Sequence, residues 1–335
     1  MKQYLLQAFG YDGLTLVDAP EPSPGPGEVL VRLRAVSLNY RDHLMITGKY
    51  NPRQALPLVP CSDGAGEVLA VGERVTRVKV GERVMPTFAQ DWIAGRSTLE
   101  RMRSTLGGPR AGVLRELAVF PEHALVHIPA HLSFEQAATL PCAALTAFNA
   151  LFKFEPLIAG QRVLVLGTGG VSIFALQFAR AAGAEVIVTS SDDDKLERAR
   201  GLGAEHVVNY KTVPDWGKEV RRLTHNEGVD IVIEVGGAGS LANSIKATTA
   251  GGLIVLLGVL AGDANPPNLT SVFMNGLRIQ GLLVGSRDDF ETMNRFIAAT
   301  RHEPVIDRVF NFLDTHEAFA HLVRQSHLGK VVIRV

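Results

Sequence analysis

The sequence predicts an α/β protein of two domains, a small β-barrel and a doubly wound parallel sheet, and three observations carry that expectation. Short alternating strands separated by glycine turns fill the early part of the chain. Strand-like and helix-like runs then alternate from Ser133 onward, the pattern of a parallel sheet covered on both faces. The third observation lies in residues 163–195. There an apolar strand, Val163-Leu164-Val165-Leu166, opens into Gly167-Thr168-Gly169-Gly170-Val171-Ser172, and a helical pattern follows through Phe174, Leu176, Phe178, Ala179 and Ala182.

Each element follows from local pattern. In 28–38, Val29, Val31, Leu33 and Ala35 alternate with polar partners, as a half-buried strand requires. Gly64-Ala65-Gly66-Glu67-Val68 and Val78-Lys79-Val80-Gly81-Glu82-Arg83-Val84 read as short twisted strands. The stretch 90–112 is polar, carries four arginines and contains Gly107-Gly108-Pro109, so it reads as a surface excursion, either a flap over a cleft or a passive loop. Helix-compatible residues run from Phe134 through Phe152. Beyond the glycine turn, Glu185-Val186-Ile187-Val188-Thr189 is the second strand of a βαβ unit, with further strands expected at 206–209, 229–235, 253–258 and 279–283. Helices at 290–300 and 315–324 and a closing strand at 330–335 are expected to return to the first domain. The expected division is 1–128, 129–284 and 285–335.

Composition excludes several function classes. With 335 residues, 46% of them hydrophobic, the chain can bury sizeable cores. Lys plus Arg equals Asp plus Glu at 34 each, which argues against a surface built for nucleic acid. No apolar run is long enough to span a membrane, and the opening Met1-Lys2-Gln3-Tyr4-Leu5-Leu6 lacks a signal-peptide core, so a soluble cytoplasmic protein is expected. Two cysteines, Cys61 and Cys142, are too few for a disulfide framework and read as reduced thiols.

The glycine turn is a dinucleotide grip. Gly167 allows the tight turn, Gly169 and Gly170 let backbone amides approach a pyrophosphate, and the helix N-terminus at Val171 presents N–H groups and partial positive charge. The end of the second strand then chooses the cofactor. An NAD site carries an Asp or Glu there for the ribose hydroxyls, whereas this strand ends in Ser190-Ser191-Asp192-Asp193-Asp194-Lys195. A carboxylate roughly 5 Å from a 2′-phosphate would repel it by about 3 kcal/mol per charge product at an effective dielectric of ~20. Uncharged Ser190 therefore favours NADP, with Lys195 as the pairing cation. The alternative is that Ser191 or Asp192 caps the next helix and Lys195 is solvated; NAD is favoured if Asp192 faces the ribose. Strand ends add Tyr210, Gly236 with Gly237, Gly258 with Val259, and Gly285-Ser286-Arg287 as cofactor contacts.

These features together resemble the medium-chain dehydrogenase/reductase superfamily, and in particular its zinc-free quinone oxidoreductase branch. The resemblance rests on Val36-Ser37-Leu38-Asn39-Tyr40-Arg41-Asp42, Gly64-Ala65-Gly66-Glu67-Val68, Leu140-Pro141-Cys142-Ala143-Ala144-Leu145-Thr146-Ala147, the nucleotide fingerprint and Gly329-Lys330-Val331-Val332. It implies a GroES-like β-barrel catalytic domain joined to a Rossmann NADP-binding domain. It also implies a small-molecule substrate and a homodimer or tetramer paired through 278–283. At the positions of the zinc ligands this chain offers Asn39, Ser62 with Asp63, and Cys142, of which only one is a usual ligand, so no metal is expected. His43, His123 and His127 read as surface or core histidines.

Without zinc, the hydride acceptor must be polarised by hydrogen-bond donors or activated by conjugation, as quinones, enones and enoyl compounds are. The resemblance places Tyr50 as proton donor or substrate guide, Asn39 and Arg41 along the cleft, Thr146 beside the nicotinamide, and Lys330 near the cofactor's mouth. Three have plainer alternatives: Tyr50 as a hydrophobic lid, Arg41 paired with Asp42, Thr146 bonded to the preceding helical turn. The functions that follow are a zinc-independent NADPH-dependent reductase of quinones or activated enones, a metal-free alcohol or aldehyde dehydrogenase or enoyl reductase of the same fold, or a crystallin-like NADPH-binding protein without turnover.

Overall fold

A computed structural model describes residues 1–258, 260 and 267–335. Val259, one of the expected cofactor contacts, lies outside the described residues. In chain order the elements are β1 (Lys2–Leu6), β2 (Leu14–Asp18), β3 (Glu28–Leu38), α1 (Tyr40–Ile46), β4 (Asp63–Val71), β5 (Arg83–Pro86), α2 (Leu99–Met102), β6 (Leu117–Pro121), β7 (Leu125–His127), α3 (Phe134–Ala138) and α4 (Leu145–Phe152). The alternating part follows with β8 (Arg162–Leu166), α5 (Gly170–Ala181), β9 (Glu185–Ser190), α6 (Asp193–Gly201), β10 (His206–Asn209), α7 (Trp216–Leu223), β11 (Val229–Glu234), α8 (Ala238–Ala247), β12 (Thr248–Leu256), α9 (Leu269–Met274) and β13 (Arg278–Gly281). The chain closes with α10 (Arg287–Thr300), β14 (Ile306–Asn311), α11 (Thr315–Val323) and β15 (Lys330–Arg334).

Two compact units result, Met1–Leu145 with Val284–Val335, and Thr146–Leu283. The first unit thus runs past residue 128, where the sequence pattern suggested a boundary. Residues beyond 128 stay with it because α3 packs on β3, β4 and β15, and the Cys142 amide donates to the Asp63 carboxylate at 3.0 Å.

The first unit is built on a seven-stranded sheet in the order β14-β15-β3-β4-β5-β7, with β6 pairing β3. Its core gathers Val29, Val31, Leu33, Val36 and Leu38 of β3 with Phe120, Phe319, Val331 and Ile333. One register matters for the chemistry: β15 pairs antiparallel to β3 with Val331 opposite Leu38. The second unit is a six-stranded parallel sheet, β10-β9-β8-β11-β12-β13, around Leu164, Ile187, Val232 and Ile254. Strand order reverses between β8 and β11, and the carboxyl ends flanking such a reversal form the ligand crevice of an open α/β sheet.

Three local expectations are corrected. The helix expected over 134–152 is interrupted by a π-helical turn at Leu140–Ala144, where Pro141 supplies no amide for the regular ladder. Residues 78–82 form a turn rather than a strand, closed by Glu82 N donating to Lys79 O at 3.1 Å. The stretch 90–112 is not a detached excursion: Gln90, Trp92, Ser104, Thr105 and Leu106 are buried, and the exposed residues are Asp91, those within 94–103 and a tip at 109–111.

Candidate active site and nucleotide site

In the first unit, β3 ends at Leu38 and Asn39 begins α1, its backbone N–H donating to Asp42 Oδ2 at 2.8 Å. Across the sheet, β15 begins with Lys330, which is buried, and its Nζ donates to Leu38 O and to Asn39 Oδ1, both at 2.6 Å. Lys330 is thus an internal cation of the first unit. Asn39 Nδ2 is buried and makes no hydrogen bond of good geometry, although the amide still eases the charge on Asp63.

Asp63, fully buried at the start of β4, accepts from Ser62 Oγ at 2.6 Å and from the Cys142 amide at 3.0 Å. Burial raises its carboxyl above the usual range, and Lys330 is the largest opposing influence. Burial likewise lowers the Lys330 ammonium, with Asp63 holding it up. The Cys142 thiol is pushed well up, by burial first and by Asp63 next. Asp42 is raised to about 6 by burial, against the pull of Arg41.

The residues at the zinc-ligand positions therefore do converge, but as a poor zinc site. Neutral Asn39 and Ser62, with the Lys330 ammonium in their midst, oppose a dication that needs thiolate, imidazole or carboxylate donors. Among the described residues no group of three or more His, Cys, Asp and Glu is arranged to hold a metal ion. The histidines have other partners: His43 Nδ1 lies 2.9 Å from the Tyr11 hydroxyl, His127 Nε2 lies 2.9 Å from Glu82, and His123 lies 3.6 Å from Asp91.

Arg41 is structural in its visible contacts. Nη1 donates to Leu106 O at 3.1 Å and Nη2 to Gly108 O at 3.2 Å, while the guanidinium lies 5.0 Å from the ring centres of both Tyr50 and Phe88. It pins 106–108 to α1 and supports the Tyr50 ring from below. Tyr50 itself is half exposed. Thr146 is buried at the start of the second unit. Ser286 and Arg287, expected beside the cofactor, belong to the first unit and make contacts within it. Ser286 Oγ accepts from Asp289 N to start α10, and Arg287 Nη1 donates to His123 O at 2.9 Å.

In the second unit the glycine turn is open. Gly167 sits at φ 74, a conformation that favours glycine, and a Cβ on Gly167 or Gly169 would meet nothing within 4 Å, so the space over the turn is open. Gly170 and Val171 open α5, and Ser172 Oγ donates to Leu166 O at 2.7 Å, locking the helix start to the strand end. Ser190 ends β9 and is buried; Tyr210 is exposed beside it, its N–H donating to Ser190 O at 3.0 Å. Asp192 caps α6, its side chain accepting from Lys195 N at 3.0 Å.

Gly236 and Gly258 are tight for reasons internal to the fold. A Cβ on Gly236 would lie 2.2 Å from Ser240 Oγ, and one on Gly258 would lie 2.5 Å from Val235 O. The Gly236 amide is already taken by Glu234, a fully buried carboxylate that sequence reading passed over. Its signal was a charged residue closing the apolar strand Val229-Asp230-Ile231-Val232-Ile233-Glu234 before two glycines.

Residues 25–130 match the alcohol dehydrogenase GroES-like domain family, and residues 170–299 match the zinc-binding dehydrogenase family. A zinc-type alcohol dehydrogenase-like protein of Schizosaccharomyces pombe is 46% identical over 333 residues, spanning 97% of this chain and 96% of its own. A crystal structure described as an NAD-dependent alcohol dehydrogenase is 36% identical, covers 100% of both chains and has a TM-score of 0.91. A quinone oxidoreductase of Pseudomonas aeruginosa is more distant, 34% identical over 275 residues that span 81% of this chain and 78% of its own.

Proposed function

We propose, from the premise that the chain belongs to the medium-chain dehydrogenase/reductase superfamily and is an NAD(P)-dependent oxidoreductase, that it is a zinc-independent NADPH-dependent reductase of quinones or other conjugated carbonyl compounds. The observation that carries the reading is the cluster of Asn39, Ser62, Asp63 and Cys142 around buried Lys330. A cluster whose ligand positions carry a neutral amide and a hydroxyl beside a buried ammonium suits hydrogen-bond polarisation better than Lewis-acid catalysis.

NADPH, when held by the glycine turn, would supply a hydride for the electrophilic carbon of the substrate. The electron pair displaced from the carbon–carbon or carbon–oxygen double bond moves onto the substrate oxygen. Asn39 Nδ2 donates to that oxygen, and Lys330 holds the amide in the correct orientation by occupying Oδ1. Tyr50 delivers the proton that completes the reduction, its ring steadied by Arg41. Arg41 positions rather than reacts, and Thr146 lines the cofactor's path.

NADP rather than NAD is supported by Ser190 at the end of β9 and by the use of Asp192 as a helix cap, which occupies its carboxylate. The contacts read for the cofactor are Gly167, Gly169, Gly170, Val171, Ser190, Lys195 and Tyr210. A homodimer is supported by β13, which pairs only with β12 and ends the sheet among the described residues, and by Leu269, Phe273 and Met274 exposed on the adjoining α9. No helix among the described residues is long and apolar enough to cross a membrane.

The experiment is a spectrophotometric screen of NADPH oxidation against quinones, enones, enoyl thioesters and aldehydes, with and without a chelator. Turnover of the conjugated acceptors that survives chelation is expected. Activity confined to simple aldehydes that survives chelation would move the assignment to the metal-free alcohol or aldehyde dehydrogenase reading. Loss of activity on chelation would overturn both.

A further inference from the structure

The switch point of the parallel sheet is flanked by two strand-to-helix turns, β8 to α5 and β11 to α8, and they are built in opposite ways. At the first, no side chain fills the space over Gly167 and Gly169. At the second, the chain supplies an anion of its own. Glu234 Oε1 accepts from Gly236 N at 2.8 Å, Gly237 N at 3.0 Å and Ser240 Oγ at 2.6 Å, and Oε2 accepts from Ser244 Oγ. The residue is 0% exposed.

Two amides and two hydroxyls converging on one buried anion at a helix start is the coordination that phosphate receives in nucleotide folds. The turn is shaped around the acid, since Gly237 adopts φ 80 and a Cβ at Gly236 would strike Ser240 Oγ. The carboxylate takes up the turn amides of Gly236 and Gly237 and the hydroxyls of Ser240 and Ser244 and adds negative charge in front of α8, so a phosphate there would find those donors taken and be repelled.

We propose that Glu234 is a specificity-determining positioning residue for the cofactor. By occupying the turn before α8 it leaves α5, of the two helix starts at the switch point, as the one that accepts a pyrophosphate. It thereby sets which way round the dinucleotide lies and keeps the Gly236–Gly237 turn as a rigid wall for the nicotinamide ring. The inference rests on the reading that the second unit binds a nicotinamide dinucleotide.

The test compares wild type, Glu234→Ala and the double variant Ser240→Ala/Ser244→Ala, by calorimetric binding of NADPH and of adenosine 2′,5′-bisphosphate and by thermal shift with inorganic phosphate. In Glu234→Ala, NADPH affinity is expected to fall about tenfold while the bisphosphate, which reaches only the adenosine half, stays within about twofold. The emptied turn should also take up inorganic phosphate, which then raises the melting temperature of the variant more than that of wild type and competes with NADPH. Equal losses for both nucleotides, or a phosphate effect the same in variant and wild type, would overturn the proposal. If Glu234→Ala does not fold, the double variant decides: NADPH weakened with the bisphosphate unchanged supports the role, and parallel weakening removes it. Failure of wild type to bind either nucleotide would instead sink the dinucleotide reading, and the phosphate comparison would still judge Glu234.

Discussion

Lys330 Nζ lies 2.6 Å from Asn39 Oδ1, an interaction that joins the first residue of the last strand to the cap of the first helix. Both side chains are buried, and Asp63 supplies the main countercharge to the ammonium. The amide is therefore held by its oxygen, and the same side chain favours the charged form of Asp63. Replacing Lys330 by Met removes the hold on Asn39 and leaves Asp63 without its cation. The expected outcome is a loss of about 3 kcal/mol in chemical denaturation. In steady-state kinetics kcat should fall while the KM for NADPH is unchanged. A variant as active as wild type would show that Asn39 needs no such support.

Tyr50→Phe keeps the ring over the Arg41 guanidinium and removes only the hydroxyl. The enone reduction rate at saturating NADPH should drop about tenfold, with the melting temperature unmoved, because water at this half-exposed position replaces part of the proton donation. An unaltered rate would assign the proton to water.

Ser190→Asp places a carboxylate at the end of β9. At roughly 3 kcal/mol of repulsion the NADPH affinity should weaken about a hundredfold, with NADH affinity held or improved. Titration of both cofactors measures it, and a preference untouched by the substitution would remove Ser190 from cofactor choice.

Asp42 carries a pH dependence of stability. Its carboxyl is buried and raised to about 6, so between the ordinary carboxylate range and pH 6 the unfolded chain ionises it while the folded protein does not. Folding stability from this group is thus full at low pH and is lost as pH rises through 6, by about 3 kcal/mol in total. Asp42→Asn never ionises, so its stability relative to wild type should improve by about that amount between pH 4 and pH 7. Urea denaturation across that range checks it, and a constant difference would show that Asp42 does not titrate there.

Phe273→Glu with Met274→Glu charges the exposed face of α9 beside the edge strand β13. Sedimentation velocity should show a wild-type dimer and a monomeric variant of unchanged secondary structure. A wild-type monomer would discard the interface, and a dimeric variant would place it elsewhere.

What the amino-acid sequence determines by itself here is local. Alternation in β3 and the apolar runs of β8 and β9 specify strands. A glycine able to take φ 74 at Gly167 specifies the turn, and Asp192 three residues before the Lys195 amide specifies a helix cap. Such features depend on backbone dihedral preference and on the periods of strand and helix, which a few neighbouring residues set. The order of strands and helices in the nucleotide unit was legible for that reason, whereas Pro141 broke a helix that composition alone suggested was continuous.

The polar site is a different matter. Asn39 and Lys330 are 291 positions apart, and they meet because β15 pairs antiparallel to β3 with Val331 opposite Leu38. A register shifted by one residue would turn Lys330 to the other face of the sheet. Asp63 reaches Cys142 through the same packing. Glu234 read only as a charged strand end, and only the folded turn shows its carboxylate in an anion's place. Tertiary structure decided these relationships because hydrogen bonding among buried groups is settled by which surfaces pack together, and local pattern carries no record of that choice.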